Sequence, residues 1–168
     1  MKVLWAPWRM KYITYSQLRR KKGGCFICEA LKKGVSKESL VLYVGERALI
    51  MLNLYPYNNG HLLVAPTSHV PSITHLSKEE LSELMELTVT GLKLLEKAMK
   101  PHGFNVGLNI GKVAGAGLEE HVHIHVVPRW EGDTNFMPVI SDTKVIPEAI
   151  YETYEKLRAH LDEVLPKR

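Results

Sequence analysis

The stretch His121-Val122-His123-Ile124-His125-Val126-Val127 decides how the rest of the sequence is interpreted. Side chains along a β-strand alternate between two faces, so this spacing predicts a strand with all three histidines on one face and the apolar side chains in the core. Each imidazole needs polar partners, and a pKa of about 6.5 leaves it mostly neutral at pH 7. Three neutral imidazoles side by side predict a nucleophile, a base or a metal ligand rather than a packing arrangement.

The segment just before the histidines is rich in glycine. Residues 111–117 read Gly-Lys-Val-Ala-Gly-Ala-Gly. Glycine lets backbone N–H groups approach an anion closely, and Lys112 adds a positive charge. Glycine-rich loops are common, but beside an imidazole nucleophile this one predicts a phosphate-binding loop.

The two cysteines of the chain, Cys25 and Cys28, are separated by two residues. The spacing is open to three interpretations: a redox pair, a metal site or chance. A thioredoxin-like redox pair needs a βαβ context, which the flanking sequence lacks. A structural tetrahedral zinc site takes four cysteine or histidine ligands, and composition alone does not choose the other two.

Upstream of the histidines, the apolar pattern predicts a short helix over residues 26–33, three short strands and one long helix. The strands are expected over residues 40–44, 48–54 and 61–65, and their short connections are typical of antiparallel neighbours. Ser77 followed by Glu80 forms a capping box that predicts the start of the long helix.

A further strand is expected over residues 104–110, and a helix is expected to begin at Pro147 near the end of the chain. Strands that cluster rather than alternate with helices indicate an α+β protein. The expected fold is therefore an antiparallel sheet of about five strands, with a long helix and a C-terminal helix.

Length and composition fit one soluble domain. The chain has 168 residues, 45% of them hydrophobic and 24% charged, with a net charge of +4. We expect an N-terminal arm (1–24), a core (25–130) and a C-terminal extension with a helix (131–168). No apolar run is long enough to cross a membrane and no secretory signal is evident, so a cytoplasmic location is expected. The basic run 19–22 favours a solvated surface over a nucleic-acid-binding arm.

The histidine stretch and its surroundings resemble the histidine-triad (HIT) family. The family pattern is His-φ-His-φ-His-φ-φ, with φ apolar, and residues 121–127 match it at every position. Asn53, Gly60-His61-Leu62-Leu63-Val64, Pro66, His69 and the glycine-rich loop occur in the family's order, so the resemblance covers roughly residues 25–130. Three further stretches resemble the branch of diadenosine tetraphosphate phosphorylases: Trp5-Ala6-Pro7-Trp8-Arg9, Pro128-Arg129-Trp130 and Asn135-Phe136-Met137.

The resemblance implies an enzyme that cleaves dinucleoside polyphosphates through a nucleotidyl-histidine intermediate. It makes His123 the nucleophile and His125 a phosphate-binding donor that helps the leaving group. It places Asn53 at the ribose of the nucleotide and Asn109 near its phosphates. The backbone N–H groups of the glycine-rich loop are expected to stabilise the negative charge that develops in the transition state. The expected nucleotide-binding residues are Asn53, Asn109, Lys112, Gly115 and Gly117.

The resemblance also selects metal ligands and a partner. Zinc-binding members of the family draw their ligands from the positions matched by Cys25, Cys28, His69 and His121, which implies a structural zinc ion that clamps the N-terminal segment onto the histidine strand. It implies a homodimer as well, with the long helix from Lys78 and the strand over residues 104–110 as the interface.

The sequence departs from the family at Gly117, where a glutamine or serine is common four residues before the first histidine. The choice of water or orthophosphate as the second-step acceptor is therefore left open. Two alternative functions are a nucleoside phosphoramidate hydrolase and a non-enzymatic nucleotide- or nucleic-acid-binding protein. The other histidines, His61, His75, His102 and His160, lack comparable surroundings, and no site role is assigned to them.

Overall fold

The computed structural model describes residues 24–133 and 146–166. The N-terminal arm motif at 5–9, the basic run at 19–22 and the stretch at 135–137 lie outside the described residues.

A single antiparallel sheet of five strands forms the centre of the described part of the chain. Its strand order is β1-β2-β3-β5-β4. The strands are β1 (Val41–Val44), β2 (Ala48–Leu52), β3 (Leu62–Pro66), β4 (Gly103–Leu108) and β5 (Ile124–Arg129). This confirms the predicted α+β fold class and places β1 and β4 at the two edges.

Three α-helices accompany the sheet in the described residues: α1 (Phe26–Lys33), α2 (Lys78–Met99) and α3 (Ile150–Leu161). The predicted capping box begins α2, because Ser77 Oγ accepts from the Glu80 N–H at 3.1 Å and Glu80 Oε2 accepts from the Ser77 N–H at 2.8 Å. Two short 3-10 helices, Ile73–His75 and Lys112–Ala114, lie in the loops. None of the helices in this part of the chain is long and apolar enough to span a bilayer.

The two faces of the sheet are covered differently. Helices α2 and α3 pack on one face, where Ile50, Leu62 and Val126 are among the fully buried side chains. Helix α1 packs on the other face, and its Ile27 lies in a smaller cluster that includes Leu63. Since the smaller cluster leaves part of the second face uncovered by α1, that face has room for a site.

The hydrogen-bonded strand is shorter than the one predicted over residues 121–127. It begins at Ile124, and the Val122 N–H donates instead to the carbonyl of Val70 at 2.8 Å. If the β3–β5 register continued, Val122 would lie opposite Pro66, which has no N–H to donate to the ladder. The predicted alternation is nevertheless confirmed from Ile124 onward, because Ile124 and Val126 lie in the core beneath α2 and α3, whereas His125 is paired with Leu63 of the other cluster.

Candidate active site and metal centre

His123 and His125 lie side by side on the face of the sheet that α1 partly covers. His125 is paired opposite Leu63, which belongs to the cluster beneath α1, and directly opposite residues in a sheet share a face. The ring centroids of His123 and His125 are 4.9 Å apart. The ring of Phe26, in the first turn of α1, stands edge-on to His123 at 6.2 Å. The two histidines therefore lie together on this face of the sheet, with His123 next to the start of α1.

The hydrogen bonds of His123 fix which of its nitrogens is available. Its Nδ1 lies 2.9 Å from the backbone carbonyl oxygen of His121, and a carbonyl can only accept, so Nδ1 carries the proton. In the neutral ring the lone pair is then on Nε2. His123 is only 8% exposed, so this lone pair is held in a largely desolvated position. An imidazole so placed is suited to attack an electrophile.

His61 supplies the partner that fixes His125, a role that sequence reasoning missed. The Tyr57 N–H donates to His61 Nδ1 at 3.0 Å, so the proton of His61 is on Nε2. His61 Nε2 lies 2.9 Å from His125 Nδ1, which must therefore accept. The proton of neutral His125 is left on its own Nε2, beside His123. The chain thus presents one imidazole lone pair and one imidazole N–H side by side.

Burial keeps this cluster neutral. Burial, followed by the charges on neighbouring histidines, lowers the pKa of His61 to about 3 and that of His125 to about 4. Burial also lowers the pKa of His123, against the opposing effect of its bond to the His121 carbonyl. At neutral pH all three rings are uncharged, which is the state that a nucleophile and a hydrogen-bond donor of this kind require.

The expected nucleotide-binding residues differ in how close they lie to the histidines of the site. Asn53 lies within the site, since its Nδ2 is 3.2 Å from His61 Nδ1. Asn109 donates to the carbonyl of Gly115 at 3.4 Å and so ties the glycine-rich loop together. Gly115 has a φ of +89°, which side-chain-bearing residues rarely adopt. Lys112 and Gly117 are exposed on the same loop, and the structure shows no contact between either of them and the histidines.

The two cysteines converge on two histidines next to this site. Cys25, Cys28, His69 and His121 each offer a ligand atom, and the four atoms lie within 4.8 Å of one another. Cys25 Sγ is 3.3 Å from His121 Nδ1, and Cys28 Sγ is 3.3 Å from His69 Nδ1. Tetrahedral zinc with bonds of about 2.3 Å to sulfur and 2.0 Å to nitrogen spaces such atoms about 3.5 Å apart. The donor set could therefore hold a zinc ion.

The proton positions in this cluster fit a metal as well. His121 Nε2 lies 2.8 Å from the carbonyl oxygen of Pro66, so it carries the proton and leaves the Nδ1 lone pair facing the sulfurs. Burial raises the pKa of the Cys25 thiol to about 11. A thiolate is therefore stable at this position only beside a positive charge such as a metal ion.

These arrangements can be compared with those of known proteins. The sequence-family model of the HIT domain matches residues 35–132 of this chain. The chain belongs to the HIT family. This HIT protein is 40% identical over 154 residues to an AP-4-A phosphorylase of Mycobacterium tuberculosis, a match that covers 89% of this chain and 79% of the relative.

Two further matches concern other members of the family. A bis(5'-adenosyl)-triphosphatase of Dictyostelium discoideum is 29% identical over 130 residues, which cover 77% of this chain and 86% of that protein. A crystal structure of a zinc-bound histidine triad family protein from Mycobacterium smegmatis superimposes with a TM-score of 0.67 at 26% identity, covering 83% of this HIT protein and 94% of that chain.

Proposed function

We propose that this HIT protein cleaves dinucleoside polyphosphates through a nucleotidyl-histidine intermediate on His123. The observation that carries the proposal is the pair of fixed tautomers: His123 has its lone pair on Nε2, His125 has its proton on Nε2, and the two ring centroids are 4.9 Å apart. An α-phosphate between them meets a nucleophile and a donor at once. The names of the phosphorylase and triphosphatase relatives support the same substrate class.

The first step forms a bond from His123 Nε2 to the α-phosphorus and breaks the bond from that phosphorus to the bridging oxygen. The electron pair leaves with the departing nucleotide, and the His125 Nε2–H stabilises the charge that develops on the bridging oxygen. The positive charge that His123 acquires is shared with its Nδ1–H, which the carbonyl of His121 accepts. In our proposal Asn53 binds the ribose, while Asn109, Lys112, and the backbone N–H groups of Gly115 and Gly117 bind the phosphates.

In the second step an oxygen of the acceptor attacks the same phosphorus, and the electron pair of the P–N bond returns to His123 Nε2. Orthophosphate as acceptor gives a nucleoside diphosphate, whereas water gives a nucleoside monophosphate and releases one proton. Water is far more concentrated than orthophosphate, so phosphorolysis requires a site that positions the phosphate ion. We propose that Lys112 and the amides of the glycine-rich loop provide that site.

We predict that diadenosine tetraphosphate is converted mainly to ATP and ADP in millimolar phosphate. The prediction rests on the similarity to the mycobacterial AP-4-A phosphorylase, with Gly117 as the opposing feature because it offers no side-chain donor to the phosphate. Chromatography of the nucleotide products, with and without phosphate, separates the two acceptors without kinetics. If AMP and ATP are the only products at every phosphate concentration, the protein is a hydrolase.

We further propose that the four-residue Cys and His cluster binds a structural zinc ion. Zinc would supply the positive charge that stabilises the Cys25 thiolate and would join α1 to the segment that carries His123. Such a joint would hold Phe26 and His123 in their mutual position. The zinc-bound M. smegmatis relative supports this proposal.

We also propose that the chain forms one domain that spans the expected arm (1–24), core (25–130) and C-terminal extension (131–168). The Tyr154 hydroxyl on α3 donates to the carbonyl of Val41 on β1 at 3.1 Å, which joins the extension to the core. A single cooperative melting transition would support this, and two separate transitions would contradict it. We propose a cytoplasmic location, because the two cysteines belong to the proposed zinc cluster and not to a disulfide; cell fractionation can test this.

We propose, finally, that two copies pair through β4 and α2. β4 is an edge strand, and its Val106 is paired with the buried Val126 on the side of the sheet where α2 lies. Val106 is 49% exposed, as are Met85 at 57% and Val89 at 43% on α2. Apolar residues beside an open edge are typical of a surface that a second copy covers.

We predict that light scattering at micromolar concentration gives twice the chain mass of 19.1 kDa. Val106→Lys places a charge at the centre of the proposed contact, so this variant is expected to elute as a monomer. Tyr151→Lys, at an exposed aromatic residue of α3, is the matched control and is expected to stay dimeric. A monomeric wild-type protein would contradict the proposal.

A further inference from the structure

Tyr57 stands next to the histidine pair in a way that the proposed mechanism does not yet use. Its ring stacks on that of His125, with centroids 5.5 Å apart and an interplanar angle of 22°. It also lies 4.6 Å from the ring of His61. The same residue donates its backbone N–H to His61 Nδ1 at 3.0 Å. Tyr57 therefore contacts both members of the His61–His125 pair.

The loop that carries Tyr57 joins β2 to β3, and side-chain hydrogen bonds fix it to two other parts of the chain. Asn58, only 4% exposed, donates to the carbonyl of Pro128 at 2.9 Å and to Asp133 Oδ2 at 2.8 Å. Asn59 donates to Glu148 Oε2 at 3.0 Å. A ring on a backbone that is fixed in this way can restrain the rings it touches, because little of the contact energy is spent in ordering the loop.

His125 needs such a restraint. Its neighbours in the sheet are Leu63 on β3 and Gly107 on β4, and Gly107 has no side chain to pack against the imidazole. The hydrogen bond from His61 contacts only the Nδ1 edge of the ring and covers neither of its faces. The stacked tyrosine closes one face of the ring, and the edge contact with His123 limits it from another direction.

We propose that the Tyr57 side chain is a positioning group that keeps the His125 ring in the orientation needed to donate its Nε2–H to the leaving oxygen. This inference rests on the proposed function, since it assigns Tyr57 to the same phosphate-transfer step. Tyr57 itself forms and breaks no bond. We assign this role to the aromatic ring, because the contact with His125 is ring against ring.

The effect on turnover separates positioning from substrate binding. Loss of the ring in Tyr57→Ala misplaces a donor that acts in the transition state, so kcat is expected to fall roughly 10- to 100-fold while KM changes little. Tyr57→Phe keeps the stacked ring and is expected to retain kcat within about threefold. Tyr151→Ala removes an exposed tyrosine from α3, which packs on the other face of the sheet, and serves as the control. A rise in KM at constant kcat would overturn the proposal and make Tyr57 a substrate-binding residue.

Histidine NMR tests the same proposal without turnover. In spectra of protein labelled at histidine, the wild type and Tyr57→Phe are expected to show His125 as the Nε2–H tautomer, with its pKa lowered to about 4 by burial and by the charge on His123. Among the described residues, the titratable groups whose rings lie against His125 are His123, His61 and Tyr57. In Tyr57→Ala the pKa of His125 is expected to move toward about 6.5, because loss of the stacked ring exposes the imidazole to water. An unchanged His125 spectrum would refute positioning, whereas failure of the wild type to cleave the substrate would refute the proposed function alone.

Discussion

The His123→Ala variant is expected to lose at least roughly 10⁴-fold in kcat for diadenosine tetraphosphate, because removal of a covalent nucleophile leaves only binding and charge stabilisation. Nucleotide affinity is expected to change little, since in the proposed mechanism the contacts to ribose and phosphate come from other residues. Rapid-quench analysis of a labelled substrate measures both the rate and the protein-bound nucleotide. The wild type is expected to form a labelled intermediate that the variant does not form.

Two further variants make this test specific. His123→Gly leaves a gap at a site that is only 8% exposed, so imidazole added to the buffer is expected to restore part of the activity. His75→Ala removes an exposed histidine on the 3-10 helix Ile73–His75 and is expected to keep full activity. Near-normal turnover by His123→Ala would refute the nucleotidyl-histidine mechanism.

Loss of the proposed zinc ion is expected to have the largest effect on stability. At a free concentration 1,000-fold above its Kd, a bound ligand adds about 4 kcal/mol to the free energy of unfolding. In a chain of this size that corresponds to roughly 8 to 16 °C in Tm. Cys25→Ser is therefore expected to lower Tm by about this amount and to remove the single zinc ion that elemental analysis is expected to find per wild-type chain.

Serine is chosen because it removes a metal ligand without disturbing the start of α1. Cys25 is the N-cap of α1, where its sulfur accepts from the Cys28 N–H at 3.5 Å. Serine is among the best N-cap residues, so Cys25→Ser keeps the cap and removes the metal ligand. Wild-type protein treated with a chelator is expected to match the Tm of the variant. The zinc site would be refuted if elemental analysis found no metal in the purified wild-type protein and Cys25→Ser left Tm unchanged.

Local chemistry made the elements of this fold predictable from the sequence. The capping box of Ser77 and Glu80, the period-two pattern of β5 and the short connections among the first three strands each depend on residues close together in the chain. The start of β5 was misplaced by three residues because it depends on a distant one. Pro66, at the end of β3, has no N–H to donate to the ladder opposite Val122. The sequence around His121 does not show that Pro66 would be its neighbour.

The same distinction applies to the candidate site. The three histidines of the strand were identifiable because they are local to one another, and the resemblance to the family added His69 to the cysteines. His61 was missed, because its bond to His125 joins residues 64 positions apart. The available signal was the position of His61 at the start of the predicted apolar strand over residues 61–65, since a histidine in a core strand needs a polar partner.

The alternation along residues 121–126 also limits how this part of the chain can evolve. Three histidines, one in the metal cluster and two in the candidate active site, alternate with the buried residues Val122, Ile124 and Val126. Insertion or deletion of one residue would exchange the two sets, so imidazoles would enter an apolar interior and both sites would be lost together. Point substitutions can change one face at a time, whereas changes of length cannot. The length of this segment is therefore under the same constraint as the identities of its three histidines.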